Sequence, residues 1–220
     1  MKISIVVTHM PVGPEMFYLT QTCVMCLKEN TFNPFELIVV SNGLTTHTWG
    51  EDALIVNKKN LGNAKAWDAG IGAASNNIIV LMDNDVWVEK NWDREMIEKL
   101  SENNVGVTFP YSVLETNDYR STQYRGRRDG FCFAIKKETY NKAGPFLQDQ
   151  PFHSYYEDDN FFMGVIKLGL NLVACSGSKV FHKGQGTTKK ILNKEIEDGI
   201  EANKQWFNNK WGGEYPYLTK

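Results

Sequence analysis

The chain has 220 residues, 42% hydrophobic and 23% charged, which is enough apolar content for a packed core and excludes a disordered or collagen-like chain. Its 24 basic and 26 acidic residues leave a formal charge of −2, which counts against broad phosphate-driven nucleic-acid binding but allows a local basic patch. Aromatic residues make up 12%, a surplus that suits concave sites for sugars, bases or rings, although an ordinary core uses the same side chains.

The four cysteines, Cys23, Cys26, Cys132 and Cys175, are too few and too scattered for a disulfide scaffold. Cys23 and Cys26 form a lone C-x-x-C in a helix-like run with no second pair, so they read as structural. The apolar run at Met1–His9 is too short for a signal peptide, and no stretch approaches the roughly 18 apolar residues of a membrane span. The expectation is a soluble, reduced, cytoplasmic protein.

Ile3–Thr8 is a β-branched run bounded by Pro11, Gly13 and Pro14, and reads as a buried strand. Pro14 suits a first helical turn, and Glu15–Asn30 carries helical spacing through Leu19, Cys23, Cys26 and Leu27. Phe35–Ser41 and Ala53–Asn57 read as further strands. Asn63–Ala74 is a helix whose small residues, Ala66, Ala69, Gly70 and Ala73, let it lie close to a sheet, and Asn77–Met82 is the fourth strand. Strands and helices in alternation indicate an α/β fold with a mostly parallel central sheet flanked by helices, in which ligands bind beyond the carboxyl ends of the strands. The pattern loosens after Asp85. Trp92–Asn103 reads as a helix, Val105–Thr108 as a strand, and Pro110–Asp129 as a polar stretch with a basic cluster at Arg125, Arg127 and Arg128. Gly130–Ile135 is a strand feeding a helix from Lys137, Glu157–Leu168 a helix, and Asn171–Ala174 and Lys179–His182 two strands. Lys183–Lys190 is a Gly/Thr/Lys loop, and the last helix, about Leu192 to Lys210, places Leu192, Ile196, Ile200, Phe207 and Trp211 near one face.

The sharpest local feature is Ile78–Asp85, an apolar strand that ends in Asp83-Asn84-Asp85. Alternation along an extended chain sends carboxylates at i and i+2 to the same side, where they repel each other unless a cation sits between them. Hard oxygen ligands suit Mg²⁺ or Mn²⁺ bridging a diphosphate; a polar turn is the plainer alternative for so short a motif. Farther on, Glu157-Asp158-Asp159 opens a helix, with Tyr155 and Tyr156 before it. Acids there complement the helix dipole, but three in a row exceed what capping needs, and one with a raised pKa can serve as a general base. His182, at the end of Lys179-Val180-Phe181, suits either a structural role or a third metal ligand.

These features, in this order, resemble the family-2-type glycosyltransferases of GT-A fold over roughly residues 2–186. Ile3–Thr8 and Phe35–Gly43 resemble the nucleotide-side strands, and Asn60-Leu61-Gly62 with Ala64–Gly70 the N-x-G helix. Asp83-Asn84-Asp85 falls at the family's D-x-D, Gly130–Lys136 with Gly144-Pro145-Phe146 at the segment beneath the donor sugar, Glu157-Asp158 at its E-D pair, and Val180-Phe181-His182 at its late metal-binding His. The resemblance implies a single GT-A (Rossmann-like) domain over 1–220. Residues 1–109 would form the nucleotide-sugar-binding half, 110–190 the acceptor and catalytic half, and 191–220 a C-terminal helix. It implies Mn²⁺ or Mg²⁺ on Asp85, Asp83 and His182, Asp158 as catalytic base, and Glu157 orienting the acceptor. Thr8, Ser41, Asn60, Gly62, Lys65, Asp83, Asn84 and Gly130 would face a UDP-, GDP- or dTDP-linked sugar. The reaction implied is inverting transfer to a glycan or other hydroxyl acceptor, with Lys183–Lys190 closing over the diphosphate. Two positions depart from the pattern: Ser41-Asn42 stands where the family often has an acid, and Asp68 where it usually has Asn.

Three rivals remain at this point. A haloacid-dehalogenase-type phosphatase would use Asp83 as nucleophile and Asp85 as acid–base, but three strands precede a motif that normally opens that fold, and Val86-Trp87-Val88 replaces its usual continuation. A non-catalytic nucleotide-sugar-binding module has no use for a base beside a metal. A nucleic-acid acceptor rests on Arg125, Arg127 and Arg128 alone, against the net charge.

Overall fold

The computed structural model describes residues 1–114, 125–126, 128–184 and 193–216. Its first half is a parallel sheet. Strands β1 (Ile3–His9), β2 (Phe35–Ser41), β3 (Ala53–Val56) and β4 (Ile78–Asp83) lie in the order β3-β2-β1-β4, all parallel. Thr8 stands opposite both Val40 and Asp83, and His9 opposite Ser41, so the polar strand ends arrive at one edge together.

Every residue of β1 is buried, and alternation divides them between two cores. Ile3, Ile5 and Val7 pack with Cys23, Val24 and Leu27 of helix α1 (Pro14–Asn30), while Val6 packs with Ala64, Ala66, Trp67 and Ile71 of helix α2 (Gly62–Ala73) on the other face. Small residues bring α2 down onto the sheet. A Cβ on Gly70 would meet Val6 Cγ1 at 2.3 Å, so the helix lies as close as a glycine permits.

The second half is mixed. It comprises β5 (Val86–Val88), α3 (Asp93–Leu100), β6 (Val105–Leu114), β7 (Arg125–Gly126), β8 (Cys132–Lys136), α4 (Lys137–Ala143), α5 (Glu157–Lys167), β9 (Asn171–His182) and α6 (Lys194–Trp211). The sheet continues from β4 as β8-β6-β9-β5, with β7 beside β6; β8 runs antiparallel to both β4 and β6, β6 and β9 are parallel, and β5 is antiparallel to β9.

Three elements differ from the sequence reading. The two strands expected at Asn171–Ala174 and Lys179–His182 are one strand with a register shift: Pro110 faces Cys175 while Tyr111 faces Lys179. Strand β5 was not foreseen because three residues show no period. The expected apolar face of the last helix is met in part, at Phe207 and Trp211, and the packed stripe takes in Asn203 as well. Asn203 and Phe207 are its buried residues, and Ile196 and Ile200 are only half-buried; Leu192 lies outside the described residues. No helix among the described residues is long and apolar enough to cross a membrane.

Candidate active site

A cleft of about 1130 Å³ opens where the ends of β1, β4 and β9 meet the start of α5 and the first turns of α6. Thr8, Asn60, Gly62, Asp83, Asn84, Asp85, Gly130, Glu157, Asp158 and His182 line it. Ser41 and Lys65 do not. The Ser41 hydroxyl is buried and donates to the Gly43 carbonyl at 2.8 Å, and Lys65 is exposed on α2. Asp68 is likewise occupied elsewhere: its carboxylate accepts from the Tyr140 hydroxyl and the backbone N–H groups of Phe146 and Leu147, fastening the turn after α4.

Asp83 ends β4, Asn84 and Asp85 form a turn, and β5 begins at Val86. The two carboxylates therefore converge through a turn rather than through strand alternation. His182, the last residue of β9, pairs with Val86 in the neighbouring strand and stacks on Phe131 with ring centroids 4.0 Å apart. The Lys183 N–H donates to the Asp85 carbonyl at 3.0 Å, which ties the end of β9 to the turn. His182 Nε2 lies 3.2 Å from Asp85 Oδ1, and ligand atoms of Asp83, Asp85 and His182 all fall within 4.8 Å of one another. Burial, then the Asp85 charge, pushes Asp83 above the ordinary carboxylate range. Two close carboxylates faced by an imidazole form a donor set that fits a divalent cation such as Mn²⁺.

The middle residue of the motif points the other way. Asn84 Nδ2 donates to Thr20 Oγ1 at 2.8 Å, and that hydroxyl donates to the Met16 carbonyl at 2.9 Å. With its one proton committed, Thr20 Oγ1 accepts from His9, whose Nδ1 is 2.7 Å away. Burial, then nearby His47, lowers His9 to about 4, so the ring is neutral and carries its proton on Nδ1. Asn84 thus anchors the turn to α1.

Across the cleft, α5 begins at Glu157 after Tyr155 and Tyr156, which both hold left-handed backbone (φ 72° and 67°). Glu157 is buried, its Oε2 has no hydrogen-bond partner among the described residues, and burial and the Asp158 charge push its pKa well up. Asp158 is raised to about 7, chiefly by burial and then by Asp159. Its carboxylate lies over Gly130, where an added Cβ would meet Asp158 Oδ2 at 2.4 Å. Asp159 is paired with Arg128. Of the basic cluster, Arg128 alone is a described side chain of the cleft, while Arg127 and most of the Lys183–Lys190 loop lie outside the described residues. Lys183, which pairs with Glu15, and Gly184 line the cleft.

Sequence reasoning missed several lining residues: His9, Met10, Phe152, His153 and, on α6, Asn193, Glu195, Ile196 and Ile200. His9 was within reach of it, standing one position past the predicted end of the first strand. Ile196 and Ile200 gave no signal of a site, because half-buried positions on an amphipathic helix look the same whether they face a core or a cleft.

Parallel strand ends, a D-x-D turn facing a histidine, and an acid pair across one cleft define an α/β enzyme with a carboxylate-rich active site. The chain belongs to glycosyl transferase family 2, whose family model matches residues 18–155. No curated protein sequence matches it. Its fold is similar to that of GalNAc-T7, in a crystal structure with UDP, GalNAc and Mn²⁺ (14% identity, TM-score 0.68, covering 94% of this chain and 49% of that one). It is also similar to the mannosyltransferase PcManGT from Pyrobaculum calidifontis, in complex with GDP-Man and Mn²⁺ (15%, 0.64, 84% and 57%). A third likeness is to TarS 1–349 of S. aureus (13%, 0.62, 96% and 74%). The chain thus spans about half the length of the first two and has the GT-A fold. The family match ends before Glu157, Asp158, His182 and α6.

Proposed function

We propose that this chain is a metal-dependent, inverting glycosyltransferase that moves a sugar from a nucleoside diphosphate to an acceptor hydroxyl. The observation that carries the reading is the pairing, within one cleft, of the Asp83–Asp85–His182 cluster with the Glu157–Asp158 pair. Asp83, Asp85 and His182 would hold the ion, which when bound supplies Lewis-acid stabilisation to the departing diphosphate. Asp158 takes the acceptor hydroxyl's proton as that oxygen bonds to the anomeric carbon and the bond from that carbon to the phosphate oxygen breaks. A base held near pH 7 is matched to that work. Glu157, kept protonated by burial, donates a hydrogen bond that orients the acceptor. Residues 1–109 serve the donor, 110–190 the acceptor and catalysis, and 191–220 carry the C-terminal helix. The UDP and GDP-Man in the similar structures support a UDP- or GDP-linked donor, and their Mn²⁺ supports that ion.

The test is a panel of UDP-, GDP- and dTDP-sugars in thermal-shift measurements with and without Mn²⁺. One donor is expected to stabilise the protein only with Mn²⁺, by roughly 2.7 kcal/mol at a hundredfold excess over its dissociation constant. Asp85→Ala should abolish that shift while leaving the unliganded melting temperature near wild type. Stabilisation by sugar phosphates and not by nucleotide sugars would favour the phosphatase instead.

A further inference from the structure

One stripe of α6 faces the segment that leads into the catalytic pair. Gly199, Asn203, Phe207 and Trp211 recur every four residues along the helix, and each meets a successive part of residues 152–160. At Gly199 an added Cβ would lie 2.5 Å from Phe152 Cγ, so only a glycine lets the ring seat there. Asn203 is fully buried. Its Oδ1 accepts the Phe152 N–H at 2.8 Å, and its Nδ2 lies 2.9 Å from the carbonyl oxygens of Phe152, Ser154 and Tyr155, two protons shared among three acceptors. Phe207 packs on Tyr156 with centroids 5.4 Å apart, and Trp211 Nε1 donates to Asn160 Oδ1 at 3.1 Å.

The gripped backbone is strained. Tyr155 and Tyr156 hold consecutive left-handed conformations, which non-glycine residues keep only where their surroundings fix them. That kink turns the chain into α5 and sets the direction in which Glu157 and Asp158 leave it. The same helix reaches the cleft itself through Asn193, Ile196 and Ile200. A helix that only covered the core would need apolar side chains on this stripe, whereas Asn203 spends its whole amide on three residues of one loop.

We infer that α6 is a clamp for the catalytic pair and that Asn203 is a positioning residue, holding the 152–156 backbone so that Asp158 meets the acceptor hydroxyl. The inference rests on the transferase reading above and extends it to a segment beyond the family match.

The test compares wild type with Asn203→Asp, Trp211→Phe and the exposed control Gln205→Ala. Asn203→Asp keeps the acceptor for the Phe152 N–H but loses both donors and sets a carboxylate against three carbonyls. The donor selected by the panel is followed by nucleoside diphosphate release with Mn²⁺ and water as acceptor, and UDP or GDP affinity is measured by calorimetry with Mn²⁺. Asn203→Asp should lower kcat roughly 10–100-fold, in line with the cost of a misplacement of about 1 Å, with nucleotide affinity within about twofold of wild type. Trp211→Phe, which keeps an aromatic ring but loses the N–H together with the second ring of the indole, should fall between it and the control. If Asn203→Asp does not fold, Trp211→Phe decides alone. Variants that melt earlier yet turn over like wild type well below their melting temperatures would overturn the clamp and leave the transferase intact. A wild type that neither binds nor cleaves any donor with Mn²⁺ would overturn both.

Discussion

Asp158 carries the proposed proton transfer at the scale of single residues. It is a carboxylate over a glycine, among other acids, with a pKa brought to about 7 by burial and by Asp159. A base works in its deprotonated form, so kcat should climb with pH through about 7 and level off above it. Asp158→Asn keeps the shape but cannot accept the proton, and should cut kcat by about 10²–10⁴ at nearly unchanged nucleotide affinity. Steady-state kinetics beside calorimetry checks this; wild-type turnover by the variant would transfer the role to Asp159, whose own carboxylate is engaged by Arg128. Glu157 and Asp158 were legible as an acid pair in sequence because three consecutive acids exceed capping. That Glu157 is buried, with an oxygen that has no hydrogen-bond partner among the described residues, was not, since burial depends on the elements that fold over the site.

At the scale of elements, the site depends on how tightly helices lie on the sheet. Helix α2 carries Gly62 at the cleft and Gly70 against Val6, where an added Cβ would come within 2.3 Å. Gly70→Ala should therefore destabilise the fold by about 1–3 kcal/mol through overpacking, despite alanine's better helix propensity. Urea denaturation reads this, and a stabilised variant would show that α2 can lift without cost. The small residues of Asn63–Ala74 made that packing readable from the sequence. Long β-branched runs likewise revealed β1, β2 and β4, whereas β5 was too short to show a period and the bulge in β9 made one strand look like two. Ser41 and Lys65 were misplaced for a related reason. Position at a strand end or first helical turn predicts proximity, but the direction of a side chain is set by local bonds such as that from Ser41 to Gly43.

For the whole molecule, burying acids near a histidine-bearing wall gives stability a readable pH dependence. Asp158 moves from an ordinary 3.8 to about 7 on folding, so between those values the folded chain binds the extra proton and loses stability as pH rises; Glu157 acts in the same direction. His9 moves from 6.5 to about 4, so the unfolded chain binds the extra proton in that range and stability there rises with pH. The two effects oppose each other below 6.5, and above it the acids act alone. Chelator-treated protein should therefore melt higher at pH 6.5 than at pH 8, and Asp158→Asn should shrink the difference. A melting temperature that rises across that window would mean the acid pair is not buried as described.

On the proposed reading, the molecule sets the Asp83–Asp85–His182 cluster at the ends of β4 and β9 and Asp158 at the start of α5, on separate elements around one cleft. That arrangement suits a single displacement in which the acceptor approaches opposite the departing diphosphate. Gly130–Ile135, the segment proposed to lie beneath the sugar, contains no Asp or Glu that could bond to it covalently. The most direct measurement is proton NMR of the first-formed product from an α-linked nucleotide sugar with Mn²⁺, read at the anomeric proton before the sugar re-equilibrates. A β-configured product that forms only with the metal ion is expected; an α-configured product, or one formed equally well in chelator, would contradict a metal-dependent single displacement.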